Sequence, residues 1–222
     1  MLVLALATNA HAALTLQPLT PLKAGAQNTA SATGATANHQ ISFAYGLAQG
    51  NSPVAGCPNL TVPIANLTVL GSATASAQGN AQISSFVPAS ASGRTVRMVA
   101  IDTTSCVASN VTINVFPQIV WADVEPIFST SCSGGNCHWH DNTPGGHFSL
   151  FGPSDMVNVA SFQVPNMDRV EPRLPDRSYV WYKLNGTQAQ VGGSGARMPK
   201  GKPALNAQQM SLIEQWIVDG AQ

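Results

Sequence analysis

The chain has 222 residues, 44% of them hydrophobic and only 9% charged, with ten basic residues balancing ten acidic ones. Length and composition suit a globular protein of one large domain or two small ones. A neutral chain without a basic block leaves no footing for recognition of nucleic acid or of an anionic membrane surface.

The chain opens MLVLALATNAHAA, with an apolar run from Leu2 to Ala7 and an A-x-A pattern at Ala10, His11 and Ala12. This resembles the end of a secretory signal over residues 1–12, cleaved after Ala12, in a leader that lacks its basic start. An ordinary N-terminal strand is the competing reading. A signal implies export to the periplasm or the cell exterior, an oxidising setting for cysteines. No other stretch approaches the length of a transmembrane helix, so no membrane span is expected.

Charge is spread unevenly. Up to Pro117 the charged side chains are Lys23, Arg94, Arg97 and Asp102, and all others lie beyond. That shift predicts a boundary near Phe116–Ile119, with a β domain over residues 13–118 and a second domain over 119–222.

The first domain reads as strands. QISFAYGLA alternates Ile41, Phe43 and Tyr45, and AQISSFVP, RTVRMVAID and NVTINVF repeat the style between turns rich in Gly, Ser and Asn. Several short strands at this spacing suggest a two-sheet sandwich resembling immunoglobulin or fibronectin type III modules. Abundant Thr, Gly, Pro and Val speak against helix. In an oxidising compartment Cys57 and Cys106 are expected to pair; two buried thiols are the alternative. No catalytic constellation stands out. His39 is alone and reads as a surface residue, and Asn59, Asn66 and Asn110 head N-x-T sequons of low specificity.

The second domain changes style. WADVEPIFSTSC sets Val124, Ile127, Phe128 and Ser131 at helical spacing, predicting a helix that runs into Cys132. ALNAQQMSLIEQWIVDGAQ predicts a closing helix: Asn206 as N-cap, Gln209 completing a capping box, Met210, Ile213, Trp216 and Ile217 as one apolar stripe, and Gly220 as a stop. Between them lie long stretches rich in Gly, Pro, Ser and Asn. So few large apolar residues over about a hundred positions call for a staple or a large apolar guest.

The segment SCSGGNCHWH supplies candidates for both. Cys132, Cys137 and His138 read C-x4-C-H, a longer form of the C-x-x-C-H motif. There two thioethers attach a haem and the histidine ligates its iron. Gly134 and Gly135 suit a bulged insertion. Met198, on the RMPKGKPAL loop, is the candidate second axial ligand. Zinc held by Cys132, Cys137, His138 and His140 is another reading. A plain Cys132–Cys137 disulfide is a third.

The run from VEPIFSTSC to WIVDGA also resembles the bacterial monohaem c-type cytochrome domains of secreted proteins. It carries CSGGNCH, PGGHFSL, VEPRLPDRSYVWYKL, RMPKGKPAL and QWIVDGA in the order those domains show. The resemblance implies a mainly α cytochrome c-like domain with one covalently attached haem c. Cys132 and Cys137 would carry the thioethers, and His138 and Met198 the axial bonds. It departs in the cysteine spacing and in Arg173, where glycine is frequent. Ile127, Phe128, Leu150, Tyr179, Leu184 and Trp216 become candidate haem-packing residues, and Arg173, Arg177 and Lys183 candidate propionate partners. His147 is a substitute for Met198 as ligand. The implied function is single-electron transfer to a redox protein partner, with no catalytic residue. The alternatives are an extracellular binding or scaffolding protein whose haem or zinc site is structural or sensory, and a five-coordinate haem acting on a small ligand.

Overall fold

The computed structural model describes residues 13–132 and 152–222. The expected signal at 1–12, and Cys137, His138, His140, His147 and Leu150, lie outside the described residues. The chain divides into two compact units. One runs to Val87 and resumes at Gly93–Pro117; the other joins Pro88–Ser92 to Gln118–Gln222.

The first unit is built from antiparallel strands. β1 (Thr15–Leu16), β2 (Ala26–Thr33), β3 (Gln40–Gly46), β4 (Ala48–Val54) and β5 (Cys57–Ala65) are followed by β6 (Thr68–Thr74), β7 (Ala81–Val87), β8 (Thr95–Asp102), β9 (Val107–Ala108) and β10 (Thr112–Val115). They pair as three sheets: β1-β2-β7; β10-β8-β3-β6 with β9 on β8; and the β4-β5 hairpin. Val54, Cys57, Val62 and Ile64 of the hairpin share a buried cluster with Ala44, Val99 and Ile101 of the second sheet.

The expected two-sheet immunoglobulin-like sandwich is therefore corrected to three sheets, and glycine is the physical reason. A Cβ on Gly46 would meet the Ile64 side chain and lie 2.5 Å from Ala65 O, and one on Gly50 would lie 2.7 Å from the Ala65 Cβ. Bare backbone at both positions lets the hairpin leave the β3 sheet and close on itself. The alternation of β3 is kept: it pairs with β8 in unbroken register from Ile41 to Gly46, with Ile41 and Phe43 buried and Tyr45 half-buried on one face. Ala44, on the other face, is buried as well, because it packs in the cluster with the β4-β5 hairpin. The pairing with β6 shifts between Phe43 and Ala44, where Leu70 of β6 is the extra, unpaired residue of a bulge.

Edge β10 is guarded by side-chain amides. Asn110 exchanges two bonds with Leu16, donating to its O at 3.1 Å and accepting from its N at 2.9 Å. Asn114, almost fully buried, accepts from Leu19 N at 2.9 Å. These amides stand in for a further strand and satisfy backbone groups that burial would otherwise strand.

The second unit holds α1 (Trp121–Ser131), α2 (Tyr179–Asn185) and α3 (Ala207–Val218), helices of 11, 7 and 12 residues. Asn206 Oδ1 accepts from Gln209 N at 2.9 Å while Asn206 N donates to Gln209 Oε1 at 3.0 Å, a closed capping box. Trp216 and Ile213 are fully buried, and Met210 is half-buried. Trp121 stacks on Phe128 at 5.5 Å, and Trp216 meets both rings, joining α1 to α3. Asp219, capping α3, accepts from Ser92 Oγ at 2.5 Å and Ile119 N at 2.8 Å, which ties residues 88–92 into this unit.

A mainly α cytochrome c-like domain is not what these residues form. Among the described residues strand makes up 35% against 23% helix. From Gly152 to Ser178 the described chain has only short 3₁₀ turns and isolated bridges, such as Val157 with Val170. Pro153, Pro165, Pro172 and Pro175 interrupt it, and Asn158 and Arg173 take φ of +57° and +72°. Proline removes helix donors and a left-handed residue reverses the chain, so no long helix can propagate. None of the described helices is long and apolar enough to cross a membrane.

Candidate functional site

Helix α1 ends at Cys132. Its N–H donates to Phe128 O at 2.8 Å, and the residue is nearly buried. The last carbonyls of a helix have no partner inside it. Two of them here, Thr130 O and Ser131 O, accept from Lys202 Nζ at 3.4 and 3.1 Å. A cation at this end also complements the helix dipole.

Lys202 belongs to the loop that carries Met198. Lys202 N donates to Pro199 O at 3.4 Å, and Gly201 takes φ +71°, so residues 199–202 form a turn with glycine at its third position. Arg197 braces that turn from below. Its Nη1 donates to Met198 O at 3.0 Å and its Nη2 to Lys202 O at 3.3 Å. Met198 N donates to Lys183 O, in α2, at 2.8 Å. The backbone of Met198 is thus tied to α2 directly and to the end of α1 through Lys202.

The preceding glycine-rich stretch, residues 192–196, is held just as closely. Lys183 Nζ donates to Ser194 O at 3.0 Å and to Ala196 O at 2.8 Å, while Gln188 Nε2 donates to the intervening Gly195 O at 2.6 Å. Three successive carbonyls are satisfied by two side chains. Burial lowers the pKa of the Lys183 ammonium below its ordinary value. Gln188 Oε1 is buried without a hydrogen-bond partner among the described residues. Gln163 Oε1 accepts from Ser194 N at 3.2 Å and from the Tyr179 hydroxyl. Burial pushes the Tyr179 phenol up, partly opposed by the Ser194 backbone. Gly193 lies so close that an added Cβ would run into the phenol ring.

Of the residues singled out in the sequence, Cys132 and Met198 fall in this region, on segments that Lys202 joins. Ile127, Phe128, Tyr179, Leu184 and Trp216 are all buried in the same unit. Lys183, a candidate propionate partner, is committed instead to loop carbonyls. Lys202, Arg197, Gln188 and Gln163 were not anticipated. The one available signal was their chemistry, long polar side chains in a chain otherwise poor in charge.

In the first unit Cys57 and Cys106 form a disulfide, with Cα atoms 5.4 Å apart. His39 is not the isolated surface residue expected: its Nδ1 lies 2.8 Å from Asp102 Oδ2, and its side chain is 27% exposed. Asp102 is nearly buried and also accepts from Thr104 N and Ser105 N at 3.0 and 3.1 Å. Burial pushes its carboxyl up, but the bonds from Ser105, His39 and Thr104 outweigh that and hold it below the ordinary value.

No protein-family model matches the chain, and no curated protein matches it either. The resemblance to monohaem c-type cytochrome domains is therefore corrected. Among the described residues strands outweigh helices, and no group of three or more His, Cys, Asp or Glu side chains is placed to hold a metal. Two of the segments behind the resemblance have local explanations. QWIVDGA is a helix end, stopped where Gly220 takes φ +107°. In VEPRLPDRS, Ser178 Oγ accepts from Glu171 N and donates to Leu174 O, both at 2.9 Å, which closes a turn. Short segments that meet common local needs recur without shared ancestry.

Proposed function

We propose that the protein is an exported one-electron carrier whose second unit holds one covalently attached haem. The proposal rests on the chain's own donor set and no longer on a family likeness. Cys132 and Cys137 would provide the thioethers, and His138 and Met198 the axial ligands. When bound, the haem supplies the one-electron redox couple. The residues set its ligation and burial and leave an edge for a redox protein partner, so no side chain has to act as acid, base or nucleophile.

The observation that carries this reading is the tether between segments about seventy residues apart. The loop bearing Met198 is fastened, through Lys202, to the helix end bearing Cys132. Two thiols, an imidazole and a thioether are the donors that a covalent, six-coordinate haem takes, and the described pair of them lies on joined segments. The Cys57–Cys106 bond supports an oxidising compartment, hence export.

The test is to produce the chain in a host with haem-attachment machinery and assay the denatured protein as its pyridine haemochrome. One haem per chain that survives acid–acetone extraction is expected. A folded, colourless product refutes the proposal. Stoichiometric zinc in that product would assign the two cysteines, His138 and His140 to a structural metal. A Cys132–Cys137 bond found by peptide mapping would leave them no ligand role.

A further inference from the structure

Building on that reading, we infer that Lys202 is a positioning residue for Met198, holding the methionine loop against the haem-bearing end of α1 by donating to the carbonyls of Thr130 and Ser131. Three observations make the loop a rigid lever instead of a slack connection. Residues 199–202 close a turn, with Lys202 N on Pro199 O and glycine at the position where φ is +71°. Arg197 spans the base of that turn, one guanidinium nitrogen on Met198 O and the other on Lys202 O. Met198 N is bonded to Lys183 O, so the residue has a fixed pivot on α2. A displacement of Lys202 therefore passes to Met198 through a closed ring of hydrogen bonds.

The chemistry at the far end explains why a lysine stands here. Two helix-terminal carbonyls present partial negative charge with no intrahelical partner, and an ammonium answers both with charge-assisted bonds. Its long stem lets an exposed residue reach them. A thioether is a neutral, weakly basic ligand, so it needs a scaffold that brings it to the metal and keeps competing ligands out. Lys202 would serve that end without touching the iron, acting from α1, the element that carries one of the attachment cysteines.

The test compares the haem-loaded wild type with Lys202→Met, Lys202→Gln, Lys202→Arg and Met198→Ala. Two readouts are followed: the weak near-infrared band of methionine-ligated ferric haem, and hydrogen exchange of the Met198 amide. Lys202→Met keeps the stem and removes the donors. It is expected to retain covalent haem, to lose most of the band, and to exchange the Met198 amide about tenfold faster, the scale of one lost charge-assisted hydrogen bond. Lys202→Gln should fall between, and Lys202→Arg should restore both signals. A full-strength band with wild-type exchange in both Lys202→Met and Lys202→Gln overturns the inference while leaving the haem proposal standing. A wild type without haem, or a band that survives Met198→Ala, overturns the parent reading and this one together. That outcome shows before any Lys202 variant is compared.

Discussion

Breaking the Cys57–Cys106 bond should cost the first unit a large part of its stability. The bond joins residues 49 apart in sequence and encloses β5, β6, β7 and β8. In the chain-entropy treatment, a loop of that size withholds from the unfolded chain freedom worth about 4 kcal/mol. A domain is stable by only about 5–15 kcal/mol, so the loss takes a quarter or more of the total. Cys57 also sits in the buried cluster with Val54, Val62, Ile64, Val99 and Ile101, so replacing it by alanine adds a small packing loss. The assay is urea unfolding of Cys57→Ala/Cys106→Ala, followed by far-ultraviolet circular dichroism of the strands. With a slope of about 2 kcal/mol per molar urea, the midpoint should fall by about 2 M. Reduced wild type, in which no volume is removed, should move in the same direction by slightly less. A fall of under about 0.5 M at an unchanged slope would refute the reasoning, because the loop would then restrict nothing that the unfolded chain explores.

Other outcomes are as definite. Asp102 has its folded-state pKa held below the ordinary 3.8. Its contribution is therefore complete above that value and is lost as pH falls through the lower, folded-state pKa. Melting temperature should fall steeply across that acid range in wild type and less steeply in Asp102→Asn; equal slopes would remove Asp102 as the cause. Trp216→Ala empties the centre of the α1–α3 aromatic cluster and should cost about 3–5 kcal/mol, read from chemical denaturation of the second unit. A loss under about 1 kcal/mol would mean that the cluster repacks. Gly193→Ala sets a methyl group against the Tyr179 phenol. The ring must shift and give up Gln163, lowering the phenol's pKa towards its ordinary value in an ultraviolet titration; an unchanged titration would show that the ring gives way freely. Arg173 adopts φ +72°, where a side chain costs about 1 kcal/mol, so Arg173→Gly should raise the melting temperature by a few degrees. A lower melting temperature would show that the arginine's contacts outweigh the strain.

The parts that were legible in the sequence are those governed by neighbours. The closing helix could be read from Asn206, Gln209 and Gly220 because a cap, its reciprocal partner and a stop all act within a turn of backbone. The helix into Cys132 followed from the spacing of Val124, Ile127 and Phe128. The pairing of Cys57 with Cys106 followed from the number of cysteines and an expected compartment. The family likeness failed for the same reason that these succeeded: those of its segments that lie among the described residues, such as VEPRLPDRS and QWIVDGA, encode a local turn or helix end and carry no information on what surrounds it.

By itself, then, the amino-acid order determined the two helices α1 and α3 and the strands β3, β7, β8 and β10, which residues could pair by oxidation, and which donors a prosthetic group would find. Only the tertiary structure decided that the β4-β5 hairpin forms a third sheet, that β6 bulges at Leu70 opposite β3, and that residues 88–92 join the second unit. It alone brought Lys202 to Thr130 and Ser131, and His39 to Asp102. Propensity and capping act over a few residues, whereas these arrangements depend on close approach between segments tens of residues apart. Which segments approach is settled by packing and hydrogen-bond satisfaction over a whole unit at once.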